Sequence, residues 1–206
     1  MIDASYFLIH RSCAVQKLHK LREKRYATSE KYHDKMIPWM KKEVKTMLET
    51  FCKNFEPDIV LIAYDGSKNW RKSESRTYKA NRVAWTNEHW SLFKCGKNYM
   101  LKEAENICCK TPVMHLKHEE LEADDIIHYQ CRNLPEEFHS NLDITIIASD
   151  RDFLPLLKNN NVKIMKIHNY HEECKLPFGL TGDEYLQYKI IMGDMSDNIK
   201  KVFSWC

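Results

Sequence analysis

Five short stretches of the chain carry acidic residues in positions where carboxylates can act together. The stretch IIASDRDFLPLL places Asp150 and Asp152 directly after an apolar run, and DIVLIAYD ends a second apolar run in Asp65. Asp3 follows Ile2 at the start of the sequence. Carboxylate oxygens are the ligands that hard divalent cations prefer. The other acids lie in LEADD and MGDMSDN, and they are Glu122, Asp124, Asp125, Asp194 and Asp197.

The spacing of these acids predicts that they face common points. Glu122 and Asp125 are three residues apart, as are the two acids of MGDMSDN, so each pair shares a helical face. If the backbone stays extended after Asp150, then Asp150 and Asp152 point to the same side. Carboxylates about 4 Å apart repel by about 4 kcal/mol at an effective dielectric of roughly 20, so a cluster requires a cation. An all-oxygen site favours Mg²⁺, Mn²⁺ or Ca²⁺, and paired Mg²⁺ ions would support in-line displacement at phosphorus.

Each acidic stretch also has a simpler explanation. Acids in a helix's first turn interact favourably with its dipole, and an aspartate after a strand often caps the next helix. We favour the metal site because five such positions occur together in one chain. The residues His168, His171 and Cys174 have a spacing that suits zinc, but a closed zinc site needs four ligands and the sequence offers no second close pair.

The composition is that of one folded domain, residues 1–206, with a hydrophobic core. The chain is 43% hydrophobic and contains only five Gly and six Pro, which argues against a linker-rich protein. Bases cluster at 11–25 and 70–82 within a net charge of +3, and such clusters attract polyanions. No apolar run approaches the ~20 residues of a membrane span. Eight cysteines without a CxxC pair predict reduced thiols and a cytoplasmic, intracellular location.

The elements that must position the acids alternate between strand and helix. This alternation predicts an α/β fold with a mostly parallel central sheet flanked by helices. Ligands of such sheets bind beyond the carboxyl ends of the strands, where Asp65 and Asp150 lie. Thr181 is the expected N-cap of the last helix. Strands are predicted near 58–65, 113–116, 143–150 and 162–167, and helices near 5–25, 35–54, 99–110, 121–131, 153–160 and 181–194.

Five sequence blocks, in order, resemble the metal-dependent 5′-nuclease family. The blocks are IDASYFL, AYDGSKNWRKSESRTYKANR, LEADDII, IIASDRDFLPLL and IMGDMSDNI, and they span nearly the whole chain. The family includes flap endonucleases, polymerase-associated 5′-nuclease domains and phage exonucleases that remove RNA primers, and the phage-type branch is the most similar. The resemblance implies a PIN-like core with a helical arch at about 70–95, which single-stranded 5′ ends pass through or under.

The resemblance also implies a role for each candidate residue. Lys79 looks like the family's catalytic lysine, which contacts the scissile phosphate, and Arg82 looks like its catalytic arginine partner. Arg71 and Arg76 would bind substrate, while Tyr78 would either stack on a base or pack under the arch. Two Mg²⁺ ions, replaceable by Mn²⁺, are the implied cofactors. The metal site would comprise Asp3, Asp65, Glu122, Asp124, Asp150 and Asp152, with Asp125, Asp194 and Asp197 completing the shell of the second ion.

The implied reaction is hydrolysis of phosphodiester bonds at single-stranded 5′ ends or flaps of DNA, or in RNA primers on DNA, during replication or repair. The implied partners are such DNA or an RNA–DNA hybrid, together with a polymerase, sliding clamp or single-strand-binding protein. Two alternatives stay open. One is a PIN-type RNA endonuclease, which needs fewer acids and no arch, and the other is a non-catalytic module that binds DNA ends and recruits a polymerase.

The resemblance has two departures, one at each end of the chain. Only Met1 and Ile2 precede Asp3, where family members have a full strand. Family members also continue past the last acidic block into a glycine-rich helix-three-turn-helix module that grips duplex. Here the segment at about 194–206 lacks those glycines. We therefore expect a truncated duplex-binding region, which weakens the expectation of flap specificity more than that of hydrolysis.

Overall fold

The computed structural model describes residues 1–26, 30–137 and 142–202. Strands and helices alternate through these residues, as the sequence predicts. Two 3₁₀ helices, Arg151–Lys158 and Pro177–Gly179, lie directly before and after the last two strands in the sequence. The elements are β1 Ile2–Asp3, α1 Ala4–Tyr26, α2 Glu30–Phe55, β2 Val60–Tyr64, α3 Trp70–Glu74, α4 Asn87–Cys108, β3 Val113–Lys117, α5 Ala123–Glu137, β4 Ile144–Ile147, β5 Val162–Lys166, β6 Asn169–Glu173 and α6 Gly182–Met192.

The six strands form one sheet in the order β3-β2-β1-β4-β5-β6. Strands β1 and β4 run parallel with Ile2 opposite Ile147, and β4 runs parallel to β5 with Ile146 opposite Ile164. Strand β6 is antiparallel to β5. The predicted α/β class with a mostly parallel sheet is therefore confirmed. Because parallel strands end at the same edge, Asp3 and the residues after β4 lie at one edge of the sheet.

The chain divides into two compact units. The first comprises Met1–Asp3, Ala63–Ala84 and the residues from Leu116 onward, and the second comprises Ala4–Ile62 and Trp85–His115. All fourteen candidate site residues belong to the first unit. The predicted arch, 70–95, contributes residues to both units, and part of the predicted duplex-binding region, 203–206, lies outside the described residues. No helix in the described part of the chain is long and apolar enough to cross a bilayer.

Helices α1, α2 and α4 pack together in the second unit. Helix α2 buries one apolar face, and the ring of Phe51 meets that of Phe7 edge to face at 6.3 Å between centroids. Apolar side chains spaced three and four residues apart explain this helix, since they form one continuous stripe. The buried residues of that stripe are Met36, Met40, Val44, Met47, Leu48 and Phe51.

Helix α4 begins at Asn87 rather than near residue 99, so the predicted start is wrong. Thr86 caps the helix by accepting a hydrogen bond from the backbone N–H of His89. Gly96 interrupts the apolar pattern, which hid the first half of the helix. A Cβ at this glycine would lie 2.5 Å from Cε of Met40, so the gap in hydropathy is a point of close helix contact. The buried positions recur every four residues: Leu92, Gly96, Met100, Ala104 and Cys108.

The first unit has its own apolar core under the sheet edge. Helix α5 buries Ile126 and Ile127 against strand residues such as Ile146, and the 3₁₀ helix adds the fully buried Phe153. Thr181 caps α6 in a reciprocal capping box with Glu184, as predicted. Strand β6 was not predicted, because its sequence NYHEE carries little of the β-branched, apolar character typical of strands. The seven cysteines within the described residues are free thiols.

Candidate metal and substrate site

Three of the predicted acids lie at strand ends or within three residues after them. Asp3 ends β1 and is buried, Asp65 follows β2, and Asp150 follows β4 by three residues. The Oδ1 atom of Asp65 accepts a hydrogen bond of 2.8 Å from the backbone N–H of Ala123, the first residue of α5. This bond satisfies one of the free amides of the helix start. It also holds the LEADD acids beside the end of β2.

A backbone pairing between the segments 66–70 and 119–121 reinforces this junction. The amide of Gly66 donates to the carbonyl of Leu121 and that of Lys68 to the carbonyl of Glu119, both at 2.8 Å. A Cβ at Gly66 would lie 2.2 Å from the carbonyl oxygen of Glu119. Only glycine allows the two backbones to approach this closely. The Asp-Gly pair after β2 therefore combines a predicted metal ligand, Asp65, with a glycine whose close backbone contact positions the LEADD acids.

Arg71 holds the acids of LEADD in place. Its Nη2 atom lies 2.5 Å from Oδ1 of Asp125 and its Nη1 atom 2.7 Å from Oδ2, which is a bidentate ion pair. Nη1 also reaches Glu122 at 3.3 Å. Burial disfavours the charged form of Asp125, but the bonds from Arg71 and from the backbone of Glu122 outweigh it and lower the pKa. The residue predicted to bind substrate is, in this structure, a partner of two predicted metal ligands.

Glu122 accepts hydrogen bonds from two residues of the predicted catalytic segment. The Nζ atom of Lys79 donates to Oε1 at 2.6 Å, and the hydroxyl of Tyr78 donates to Oε2 at 2.7 Å. Tyr78 is buried, with Lys79 Nζ 4.8 Å from its ring centroid, so the packing alternative describes its position. Burial and the bond to Glu122 raise the pKa of the Tyr78 hydroxyl. It therefore stays protonated and able to donate.

The segment that carries Lys79 and Arg82 is fastened to the last acidic block. The backbone N–H of Lys79 donates to the carbonyl of Asp197 at 2.9 Å, and Nη2 of Arg82 donates to the Asp197 carboxylate at 2.7 Å. Asn198 reaches the carbonyl of Thr77 at 2.9 Å. Lys79 has a φ of 55°, a left-handed conformation uncommon for a lysine. These bonds hold its side chain toward the acids.

The backbone does not stay extended from Asp150 to Asp152, so the condition under which both side chains would point to the same side is not met. The carboxylate of Asp150 accepts a hydrogen bond of 3.0 Å from the amide of Asp152 and caps the 3₁₀ helix that begins at Arg151. The chain turns here because the cap satisfies a free amide that further strand would have paired. The carbonyl of Asp152 lies 3.1 Å from Nε2 of His128, whose ring stacks on Phe153.

Lys189 is a site residue that the sequence did not reveal. Its Nζ atom pairs with the Asp152 carboxylate and lies 3.0 Å from Oδ2 of Asp194. Burial disfavours ionisation of Asp194, but bonds from Ser196 and Lys189 outweigh it and lower the pKa to about 2. The available signal was position, since Lys189 is the base in the last turn of α6, five residues before Asp194.

Two further carboxylates of the cluster, Asp124 and Asp150, have raised pKa values. Burial, with the charges of Glu122 and Asp125, raises the pKa of Asp124 to about 7. Burial also raises the pKa of Asp150, with a contribution from the charge of Asp152. An all-carboxylate donor set with surplus negative charge fits Mg²⁺ or Mn²⁺ in its chemistry.

The grouping of the acids differs from a closed metal site. Within the described ranges, no three His, Cys, Asp or Glu side chains lie close enough together to hold one ion. Bases occupy the space between acids instead, with Arg71, Lys79 and Lys189 each contacting two of them. Arg76, the remaining candidate, has an exposed side chain. The ligand assignments therefore stay predictions.

Comparison with known proteins extends these observations. The family model for the 5′-3′ exonuclease N-terminal resolvase-like domain matches residues 2–179. A 5′-3′ exonuclease of Mycoplasmopsis pulmonis is 27% identical over 98% of this chain, which spans 61% of that protein. A DNA polymerase I of Caldicellulosiruptor bescii is 32% identical over 74% of this chain and 18% of its own length. The chain thus spans less than two thirds of either relative.

A solved structure gives an independent comparison of the fold. The bacteriophage T5 D15 flap endonuclease, crystallised in a pseudo-enzyme–product complex with DNA and metal ions, superposes with a TM-score of 0.59. The alignment covers all of this chain and 70% of that one at 19% identity. At this identity the likeness concerns the fold. The family match over residues 2–179 shows that the chain belongs to the family of 5′-3′ exonuclease N-terminal resolvase-like domains.

Proposed function

We propose that this chain is a metal-dependent nuclease that hydrolyses phosphodiester bonds at single-stranded 5′ ends or flaps of DNA, or in RNA primers, during replication or repair. The observation that carries the proposal is the placement of nine carboxylates and the segment of Lys79 and Arg82 in one compact unit, where Lys79 pairs with Glu122 and Arg82 with Asp197. The relatives named 5′-3′ exonuclease and DNA polymerase I support the substrate class and a role beside a polymerase.

Two Mg²⁺ ions held by the acids would activate water and offset charge on the phosphoryl oxygens. The protein's own bases have a separate task. Lys79 and Arg82 exchange their contacts with Glu122 and Asp197 for the phosphate, which holds the substrate in register. Arg71 keeps Asp125 ionised and holds both Asp125 and Glu122 in position. The PIN-type RNA endonuclease is less well supported, since it needs neither the two bases nor the acids of the last block.

The test is cleavage of a labelled 5′-flap duplex and of an RNA primer on DNA, with Mg²⁺ and with EDTA. The Asp150→Asn variant should lose turnover by about 10²-fold or more while its fold persists. Asparagine caps a helix as well as aspartate does, and the change removes a buried charge. The control is Asp143→Asn, because Asp143 has an exposed side chain before β4.

Two outcomes would contradict the proposal. If Asp150→Asn is as active as wild type, then the acid cluster does not take part in the reaction. A wild-type protein that binds the flap in a salt-dependent manner, but yields no metal-dependent product from either substrate, would be a non-catalytic module for DNA ends.

A further inference from the structure

A wide groove extends from the acid cluster along the outer face of α5. Its volume is about 1430 Å³, which exceeds the roughly 300–1,000 Å³ typical of small-molecule pockets. Asp124, Asp125, Asp152, Asp194 and Asp197 line its acidic part. The groove continues past these acids to Pro135 on α5 and to Asn159 and Asn161 beyond the 3₁₀ helix. A space of this size and length suits a polymer better than a single small molecule.

The face of α5 in the groove changes in character along its length. Its positions recur at helical spacing, from Asp125 through His128 to Arg132 and Pro135. Seven residues separate Asp125 from Arg132, which is about 10 Å along the axis. At a rise of roughly 3.4 Å per stacked nucleotide, this distance corresponds to about three nucleotides. The helix therefore carries acids at one end and a base some three nucleotides away.

Tyr129 and Arg132 supply the contacts that single-stranded nucleic acid uses. Tyr129 is 60% exposed, which is high for an aromatic side chain, and it lines the groove one turn after Asp125. Aromatic rings on such surfaces stack on bases without regard to sequence. Arg132 is exposed, and among the described residues it forms no ion pair. Its guanidinium is therefore available to a phosphate.

We propose that this groove binds the single-stranded 5′ segment of the substrate, with Tyr129 stacking on a base and Arg132 contacting a phosphate about three nucleotides from the acid cluster. This inference rests on the proposed nuclease function and assigns it a strand path. Both residues lie outside the acid cluster and act on binding alone.

Binding is measured without cleavage, by fluorescence anisotropy of a 3′-labelled oligothymidine of about 12 nucleotides in EDTA. We expect Tyr129→Ala to weaken binding about 5-fold or more, whereas Tyr129→Phe keeps the ring and retains most of the affinity. Arg132→Ala should weaken binding and reduce the slope of log K against log salt by about 0.7. The controls are Tyr188→Ala and Lys163→Ala, whose side chains do not line the groove.

Cleavage of flaps with 5′ arms of increasing length separates this inference from the proposed function. The KM of Tyr129→Ala and Arg132→Ala should exceed that of wild type only when the arm reaches about three nucleotides. Wild-type affinity in both variants, or a KM effect on every arm length alike, would overturn the strand path while the nuclease stands. If the wild-type protein does not cleave, but both variants bind the oligonucleotide more weakly than it does, then the strand path in the groove is supported and the proposed function is overturned.

Discussion

At the scale of single residues, neighbouring bases offset part of the negative charge of the site. Arg71 joins Asp125 to Glu122, and Lys189 joins Asp152 to Asp194. Each of these bases sits where two carboxylates would otherwise repel each other. The bases therefore do in the metal-free protein part of what a divalent cation would do. Their removal should change how much the protein gains from such a cation.

Lys189 gives the sharper test of this view. In Lys189→Met an uncharged side chain of similar length replaces the lysine, so Asp152 and Asp194 lose the ammonium group that they share. We expect the metal-free variant to be less stable by about 1–3 kcal/mol, because hydrogen bonds to charged groups contribute in that range. We also expect Mg²⁺ to raise the melting temperature of the variant more than that of wild type. Thermal unfolding with EDTA and with Mg²⁺ measures both.

The matched control is Lys175→Met, since Lys175 is exposed on the loop before the second 3₁₀ helix. It should leave the melting temperature and the Mg²⁺ increment unchanged. If Lys189→Met behaves in the same way as this control, then Lys189 does not act as a counter-charge to the two acids.

Residue types and spacing revealed the acids, but they did not reveal the bases' partners. The DxD pattern led to Asp150 and Asp152, yet the cap that turns the chain between them depends on one hydrogen bond with no unique sequence signal. Arg71 was assigned to substrate by the family resemblance, whereas folding brings it to Asp125, 54 residues away. Contacts over such sequence distances depend on the packing of whole elements.

At the scale of elements, the junction between β2 and α5 determines where the LEADD acids lie. Asp65 bonds the first residue of α5, and the backbone of Gly66 lies against that of Glu119. The sequence predicted both elements but not this contact, because a glycine after an aspartate usually indicates only a turn. The same limitation hid the start of α4, where Gly96 marks close helix packing.

Gly66→Ala tests the junction directly. The added Cβ would meet the backbone of Glu119 at 2.2 Å, and backbone atoms cannot move aside as a side chain does. We expect the free energy of unfolding to fall by about 2 kcal/mol or more and nuclease activity to fall as the LEADD acids shift. Ser67→Ala, at an exposed neighbouring position, should have little effect on either quantity. Wild-type stability and activity in Gly66→Ala would show that the close approach is not required.

At the scale of the whole molecule, all nine acids fall within one of the two compact units. The second unit, built on α1, α2 and α4, holds none of the candidate ligands. The fold class was predictable because period and alternation are local properties of the sequence. The division of the chain was not, since each unit combines segments that are distant in the sequence.

This distribution predicts where a bound ion protects the backbone. An ion that binds only the native site stabilises the segments that carry its ligands, and local opening is the process that amide exchange reports. We expect Mg²⁺ to slow hydrogen exchange in 118–130, 149–153 and 190–199, relative to EDTA at matched ionic strength. Helices α2 and α4 serve as the internal control, and their exchange should change little. Asp150→Asn should reduce the effect. Equal slowing in both units, or none in the acidic segments, would contradict a metal site at this edge of the sheet.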